Sequence, residues 1–209
     1  SALPATTAQR LQFLIKEPTR KATIRSTDDA QSDAILRSIA TDGFAVLPAR
    51  FSREWCAQAA DEMAAAFQNY PDMLHHHADE RLFGLERVSE AAKQFFADPL
   101  WLQLADSYSG GENAAMFVMA NRLQPKAGET DGSGGGWHRD CFARELKVIV
   151  YLTDVGHENG PFNIVRGSHD TKAIYADMRA AGLSAVQNRL TSEQVERLVS
   201  AAPSRLQTI

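Results

Sequence analysis

Two side chains with metal-binding chemistry, His138 and Asp140, stand two positions apart at the head of WHRDCFARELKVIVYLTDVGHENGPFNIVRGSHD, residues 137–170. In a strand, successive side chains point to opposite faces, so residues i and i+2 share one face. His138 and Asp140 can then grip one cation from a single short segment, while Arg139 points away and makes a structural ion pair. An imidazole and a carboxylate are two members of the 2-His-1-carboxylate set, which suits iron(II) and leaves positions open for substrate and oxygen. The plain alternative is a surface histidine beside a solvated aspartate.

Other residues that could do chemistry are scattered. His169 follows Gly167-Ser168 and reads as a fold-supporting histidine, with metal ligation the minor alternative. His157 sits in a turn beside Glu158 and reads as solvated. His75, His76 and His77 are consecutive, so regular structure cannot aim all three at one ion; they read as a surface run. Trp137 either walls the pocket or packs in the core. Arg166 is a substrate-facing or structural cation. Residues 126–136, KAGETDGSGGG, have the composition of a flexible loop. No Lys-Ser/Thr follows and no helix begins there, so the loop is no phosphate cradle; lying directly before His138, it reads as a lid over the metal.

The elements that must position these residues follow from periodicity and caps. Residues 33–42 read as a helix with Asp33 as N-cap and Gly43 as the stop. Phe44–Leu47 reads as a short strand ended by Pro48. Ser52 caps a helix whose Trp55, Ala59, Met63 and Phe67 recur on one face, closed by Pro71. A helix over about 86–97 follows. Asp98-Pro99 reads as an N-cap and first helical position of another helix, broken at Gly110-Gly111. Ala115–Leu123, Leu146–Leu152 and Phe162–Val165 read as strands, with Asn159-Gly160 as a turn. Residues 172–182 read as a helix. Thr191-x-x-Gln194 has the form of a capping box, flanked by Leu190 and Val195 as a hydrophobic staple, and opens a helix over about 192–202. Residues 1–27, with Leu11, Phe13, Leu14 and Ile15 apolar, read as an arm. Connections between the strands are too short for parallel crossovers, so the sheet is expected to be antiparallel.

WHRD, the Val/Ile-rich run ending YLTD, and NGPFNIVRGSH together resemble the phytanoyl-CoA dioxygenase family of iron(II)/2-oxoglutarate oxygenases. DGFAVLPARFSREW, residues 42–55, is similar to that family's entry strand and helix. The resemblance implies an α+β chain with a mainly β core: a double-stranded β-helix of jelly-roll or cupin-like form, flanked by helices. It implies iron(II) on His138, Asp140 and a later histidine, 2-oxoglutarate chelated through its keto acid end, and oxygen as co-substrate. Asn121 and Tyr151 would contact 2-oxoglutarate, the alternative for each being sheet or core packing. An arginine after the later histidine would grip the far carboxylate, since its planar fork suits that group. Here the sequence departs from the pattern. No histidine follows His169, and residues 171–209 read as helical; Arg179, Arg189, Arg197 and Arg205 all fall on helical patterns. We therefore expect one domain over 1–209: a mostly helical part to 112, core strands with the HxD over 113–170, and a helical insertion over 171–209 that interrupts an incomplete barrel.

The expected activity is oxidation, usually hydroxylation, of a small molecule. The alternatives are a non-catalytic binding module on the same scaffold, or a cupin-like metal enzyme without 2-oxoglutarate. Bulk properties are those of an ordinary globular chain. Among 209 residues, 44% are hydrophobic and the formal net charge is -4, which gives no general attraction to nucleic acid or an anionic membrane. Cys56 and Cys141 form no paired framework and read as free thiols of a reducing compartment. Without an apolar run of spanning length or a signal pattern, cytoplasmic residence is expected.

Overall fold

The computed structural model describes residue 27 and residues 29–76, 79–123, 136–140, 144–156 and 159–209. The arm at 1–26, His77, most of the Gly-rich loop, Cys141 and His157 lie outside the described residues.

The N-terminal part is helical, as the periodicity predicts. Helix α1, Ala30–Asp42, is capped by Asp29, not Asp33: the Asp29 carboxylate accepts from the backbone N–H groups of Gln31 and Ser32. Asp33 lies in the first turn and accepts from Thr27 instead, at 2.7 Å from its N–H. The helix starts earlier because Asp29 already satisfies the orphan donors that a cap exists to satisfy. Helix α2, Arg53–Asn69, is capped by Ser52 and runs into a single-turn 3-10 helix at Pro71–Met73. The predicted helix at 86–97 divides into a 3-10 turn, Leu85–Arg87, and α3, Glu90–Ala97, because Ser89 caps the second part by accepting from Ala92 N–H. Helix α4, Pro99–Ser109, has the expected Asp98 cap and Pro at its start. Leu36 and Ile39 of α1 pack on Leu104 and Tyr108 of α4, while α2 and α3 enclose Ala66, Phe67 and Ala92.

Strands β1, Leu74–His76, β2, Asp79–Phe83, and β3, Met119–Leu123, make an antiparallel sheet in which Arg81 faces Asn121 and Phe83 faces Met119. Leu82 and Ala120 are buried on the helix-covered face. Arg81, Phe83, Met119, Asn121 and Leu123 share the other face by the period-two rule. Two small ladders complete the pairing among the described residues: β4, Trp137–His138, with β6, Arg189–Leu190, and β5, Val165–Arg166, with β7, Gln207–Thr208. Between them lie α5, Thr171–Ala180, and α6, Ser192–Ala201. All four pairings are antiparallel, as the short connections require.

Several predicted strands are shorter than expected or absent. Phe44–Leu47 and Leu146–Leu152 are in no ladder, and only Met119–Leu123 of the segment from Ala115 is paired. Residues 144–151 do alternate between half-buried and exposed. Leu146 uses its inward turn to pack on the α1–α4 cluster, and Arg144 donates to the Tyr108 carbonyl at 2.9 Å. Val and Ile favour a pleated, half-buried chain, but a strand also needs a neighbour to pair with. Residues 171–209 also depart from the helical reading: they contribute β6 and β7, which return to pair with β4 and β5. The helices of this part still carry the expected signals. The Thr191–Gln194 capping box is formed on both sides, and Leu190 and Val195 meet in one cluster. Met178, Leu198 and Leu206, each at most 2% exposed, form its centre, and full burial of such side chains contributes about 1.5–3 kcal/mol apiece.

Candidate metal centre

Strand β4 sorts its two residues onto opposite faces. Trp137 packs against the C-terminal cluster, so of its two readings the core one applies. His138 turns the other way, into a cleft of about 250 Å³ lined by Arg81, His138, Arg139, Asp140, Asn188 and Arg189. The chain bends at Asp140, yet the carboxylate lies on the same side as the imidazole, with Oδ1 3.4 Å from His138 Nε2.

Each of these two groups has a polar partner besides the other. His138 Nδ1 is 2.9 Å from the Gly136 carbonyl. A carbonyl only accepts, so Nδ1 carries a hydrogen, and Nε2 is the ring nitrogen that faces Asp140. Such a backbone tether commonly orients a metal-ligating histidine. Asp140 Oδ2 accepts from Lys147 Nζ at 2.5 Å. Partial burial works against ionisation of Asp140, but the Lys147 hydrogen bond and charge, with help from His138, outweigh it and hold the carboxyl below its ordinary value. Two donors of the required types thus face one point. Among the described residues, no group of three His, Cys, Asp or Glu is placed to hold a metal ion.

The remaining site candidates sit elsewhere. Asn121 is on β3, directly across the ladder from Arg81, and is not itself on the cleft wall. Tyr151 is half exposed; its hydroxyl accepts from the Phe162 N–H at 2.8 Å. His169 Nε2 donates to the Ala40 carbonyl at 3.1 Å, at the end of α1, and burial holds its pKa below the ordinary value despite that hydrogen bond. Arg166 pairs with Asp42 at 2.8 Å, and the Gly167 N–H donates to the Asp42 carbonyl at 2.9 Å. The Arg166–His169 turn therefore fastens the core to α1, which is the fold-supporting reading. His75 lies edge-on to the Phe83 ring, with centroids 5.3 Å apart.

Three residues of the cleft were not singled out by sequence as site residues: Arg81, Asn188 and Arg189. Arg189 is not helical; it is the register partner of His138. Side chains of register partners leave the same face of a ladder. Arg139 was expected to point away into an ion pair. Its guanidinium is instead largely buried and donates to the Ser168 carbonyl at 2.7 Å, while its Nε has no hydrogen-bond partner. Burial lowers its pKa, an effect opposed by Asp177 and reinforced by Arg205. Asp177 itself is ion-paired with Arg205.

A family model described as phytanoyl-CoA dioxygenase (PhyH) matches residues 39–202, and the chain belongs to that family. No curated protein and no solved structure matches the chain. Members of the family are generally iron(II)- and 2-oxoglutarate-dependent oxygenases with a cupin-like jelly-roll core. The described residues form a mixed arrangement of helices and small sheets. Among them, no helix is long and apolar enough to cross a membrane.

Proposed function

We propose that this chain is an iron(II)/2-oxoglutarate-dependent oxygenase acting on a small molecule, with His138 and Asp140 as metal ligands. One observation carries the reading. The Nε2 of His138, its ring tethered by Gly136, looks at the Asp140 carboxylate across 3.4 Å. When bound, iron(II) with 2-oxoglutarate and oxygen would supply the oxidising power, with decarboxylation to succinate and oxygenation of a substrate carbon. The protein's share is orientation. The Gly136 carbonyl fixes the imidazole tautomer, and the Lys147 ammonium keeps Asp140 ionised. Asn121, on the same sheet face as Arg81, and the Tyr151 hydroxyl are proposed contacts for 2-oxoglutarate. Phe83 and Met119, also on that face, offer apolar surface to a substrate.

The test is succinate production from 2-oxoglutarate in protein of defined metal content. Wild type is expected to turn over and Asp140→Ala to lose at least about 99% of that turnover, since a lost ligand removes the site that generates the oxidant. Retained turnover in Asp140→Ala overturns the assignment. The lack of a three-residue metal group among the described residues favours a second reading, a non-catalytic binding module. Wild type that binds ligand in the cleft yet never forms succinate would establish it.

A further inference from the structure

Arg139 stands in the chain between the two candidate ligands. Trp137 packs on the cluster that holds Met178 of α5, and the Arg139 guanidinium lies within the field of Asp177 on the same helix. Side chains 137 and 139 thus turn toward α5, while His138 and Asp140 meet on the other side, 3.4 Å apart. The β4–β6 ladder stops too early to enforce this. Its register covers Trp137 and His138, and one more backbone bond follows, from the Arg139 N–H to the Asn188 carbonyl at 2.7 Å. Asp140 lies in a bend beyond them. The next hold on the chain is the Arg139 side chain, whose Nη1 donates to the Ser168 carbonyl at 2.7 Å. That carbonyl sits in a fixed turn. Arg205 Nη1 donates to the adjacent Gly167 carbonyl at 2.7 Å, and the Gly167 N–H donates to the Asp42 carbonyl, at the end of α1, at 2.9 Å.

Arg139 is a poor choice for stability alone. Its Nε has no hydrogen-bond partner, and among the described residues it makes no ion pair, because Asp177 is paired with Arg205. A largely buried cation without a counter-charge of its own costs free energy. Methionine would fill the same space without that cost. What arginine adds is a rigid, planar donor group that reaches from the bend to the Ser168 carbonyl.

We propose that Arg139 is a positioning residue of the candidate metal centre: its hydrogen bond to the Ser168 carbonyl fixes the bend at 139–140 and so holds the Asp140 carboxylate against the His138 imidazole. This rests on the oxygenase reading only in taking His138 and Asp140 as metal ligands; their contact is present without a metal.

The experiment uses the full chain and compares wild type, Arg139→Met and Arg139→Lys, with Gly182→Ala as the control for general loss of stability. The first measurement needs no metal. Asp140→Asn should move the nitrogen-15 NMR signal of His138 Nε2 in wild type, where the carboxylate faces that nitrogen, and leave it unmoved in the Arg139→Met background. The second is manganese(II) affinity, read by a competing chelator. Arg139→Met should weaken it about tenfold or more, as loss of the groups that orient metal ligands does. Arg139→Lys keeps a donor for Ser168 and should recover most of the loss, and Gly182→Ala should show none. An equal response of His138 Nε2 to Asp140→Asn with and without Arg139 overturns the proposal. So does an equal loss of affinity in Gly182→Ala, or an Arg139→Met chain that does not fold, which would make Arg139 a residue of the fold. Wild type that binds no manganese and forms no succinate sinks the oxygenase reading alone; the metal-free NMR comparison then still decides the role of Arg139.

Discussion

Lys147 closes an ion pair on Asp140 at 2.5 Å from Oδ2, while the other carboxylate oxygen faces His138. The ammonium thus holds the oxygen that a second cation would also seek. The pair is about half exposed on both sides, and exposed pairs contribute only about 0.2–1 kcal/mol. It shapes the site more than it stabilises the fold.

Removing that ammonium should help a metal ion. We predict that Lys147→Met binds manganese(II) or zinc(II) about two- to fivefold more tightly than wild type, the range an exposed pair can account for. Titration with a competing chelator reads this directly. Unchanged or weaker affinity would show that Lys147 does not compete for Asp140.

Gly43 separates two steric costs. Its φ is +90°, and a Cβ there would lie 2.6 Å from His169 Nδ1. Gly182 has φ +67° with nothing within 4 Å of a Cβ. Gly182→Ala should cost about 1–2 kcal/mol, the left-handed backbone term alone. Gly43→Ala adds a clash with the half-buried His169 ring and should cost about 1–3 kcal/mol more. Urea unfolding of both variants gives the difference; equal losses would mean that the α1–His169 contact has room to spare.

His169 makes stability depend on pH. Burial holds its native pKa below the ordinary value near 6.5, so the unfolded chain takes up a proton first as pH falls. Its stabilising contribution is complete above the unfolded value. It declines as pH drops through that value toward the native one. Unfolding free energies at pH 7.5 and 5.5 should differ less in His169→Gln than in wild type. An identical pH slope in the two proteins would remove His169 from the account.

Thr191 tests the wall of the cleft through the helix behind it. The Thr191 hydroxyl accepts from Gln194 N–H at 3.2 Å, and the Gln194 side chain accepts from Thr191 N–H at 2.9 Å. Thr191→Ala should cost about 0.5–2 kcal/mol in urea unfolding. Thr191→Ser should recover most of it. Failure of Ser to rescue would mean that the methyl group's packing, and not the cap, was lost.

How much of this was legible depends on the range of the forces involved. Caps act within four residues, so Ser52, Asp98, Gly43 and the Thr191–Gln194 box were readable in order along the chain. The HxD pair was readable because two positions of extended chain suffice to bring its side chains together. Arg189 was hidden. Its strand is two residues long and ends at a helix cap, so no alternation has room to show. Its placement comes from pairing with Trp137 and His138, a contact across fifty residues that no local pattern encodes. Lys147 was hidden similarly: on an exposed phase of a Val/Ile run it resembles any solvated lysine. Leu146–Leu152 failed in the opposite sense, with strong local preference and no partner strand among the described residues.

Trp137 and His138 are neighbours with opposite destinations, one in the C-terminal core and one in the cleft. A slip of one residue in so short a pairing would exchange them, sinking an imidazole into oil and lifting an indole into water. The centre therefore cannot drift while the core stays still. Any substitution that loosens the packing under Trp137 is felt at the neighbouring imidazole as misalignment, so the interior and the cleft depend on the same few positions.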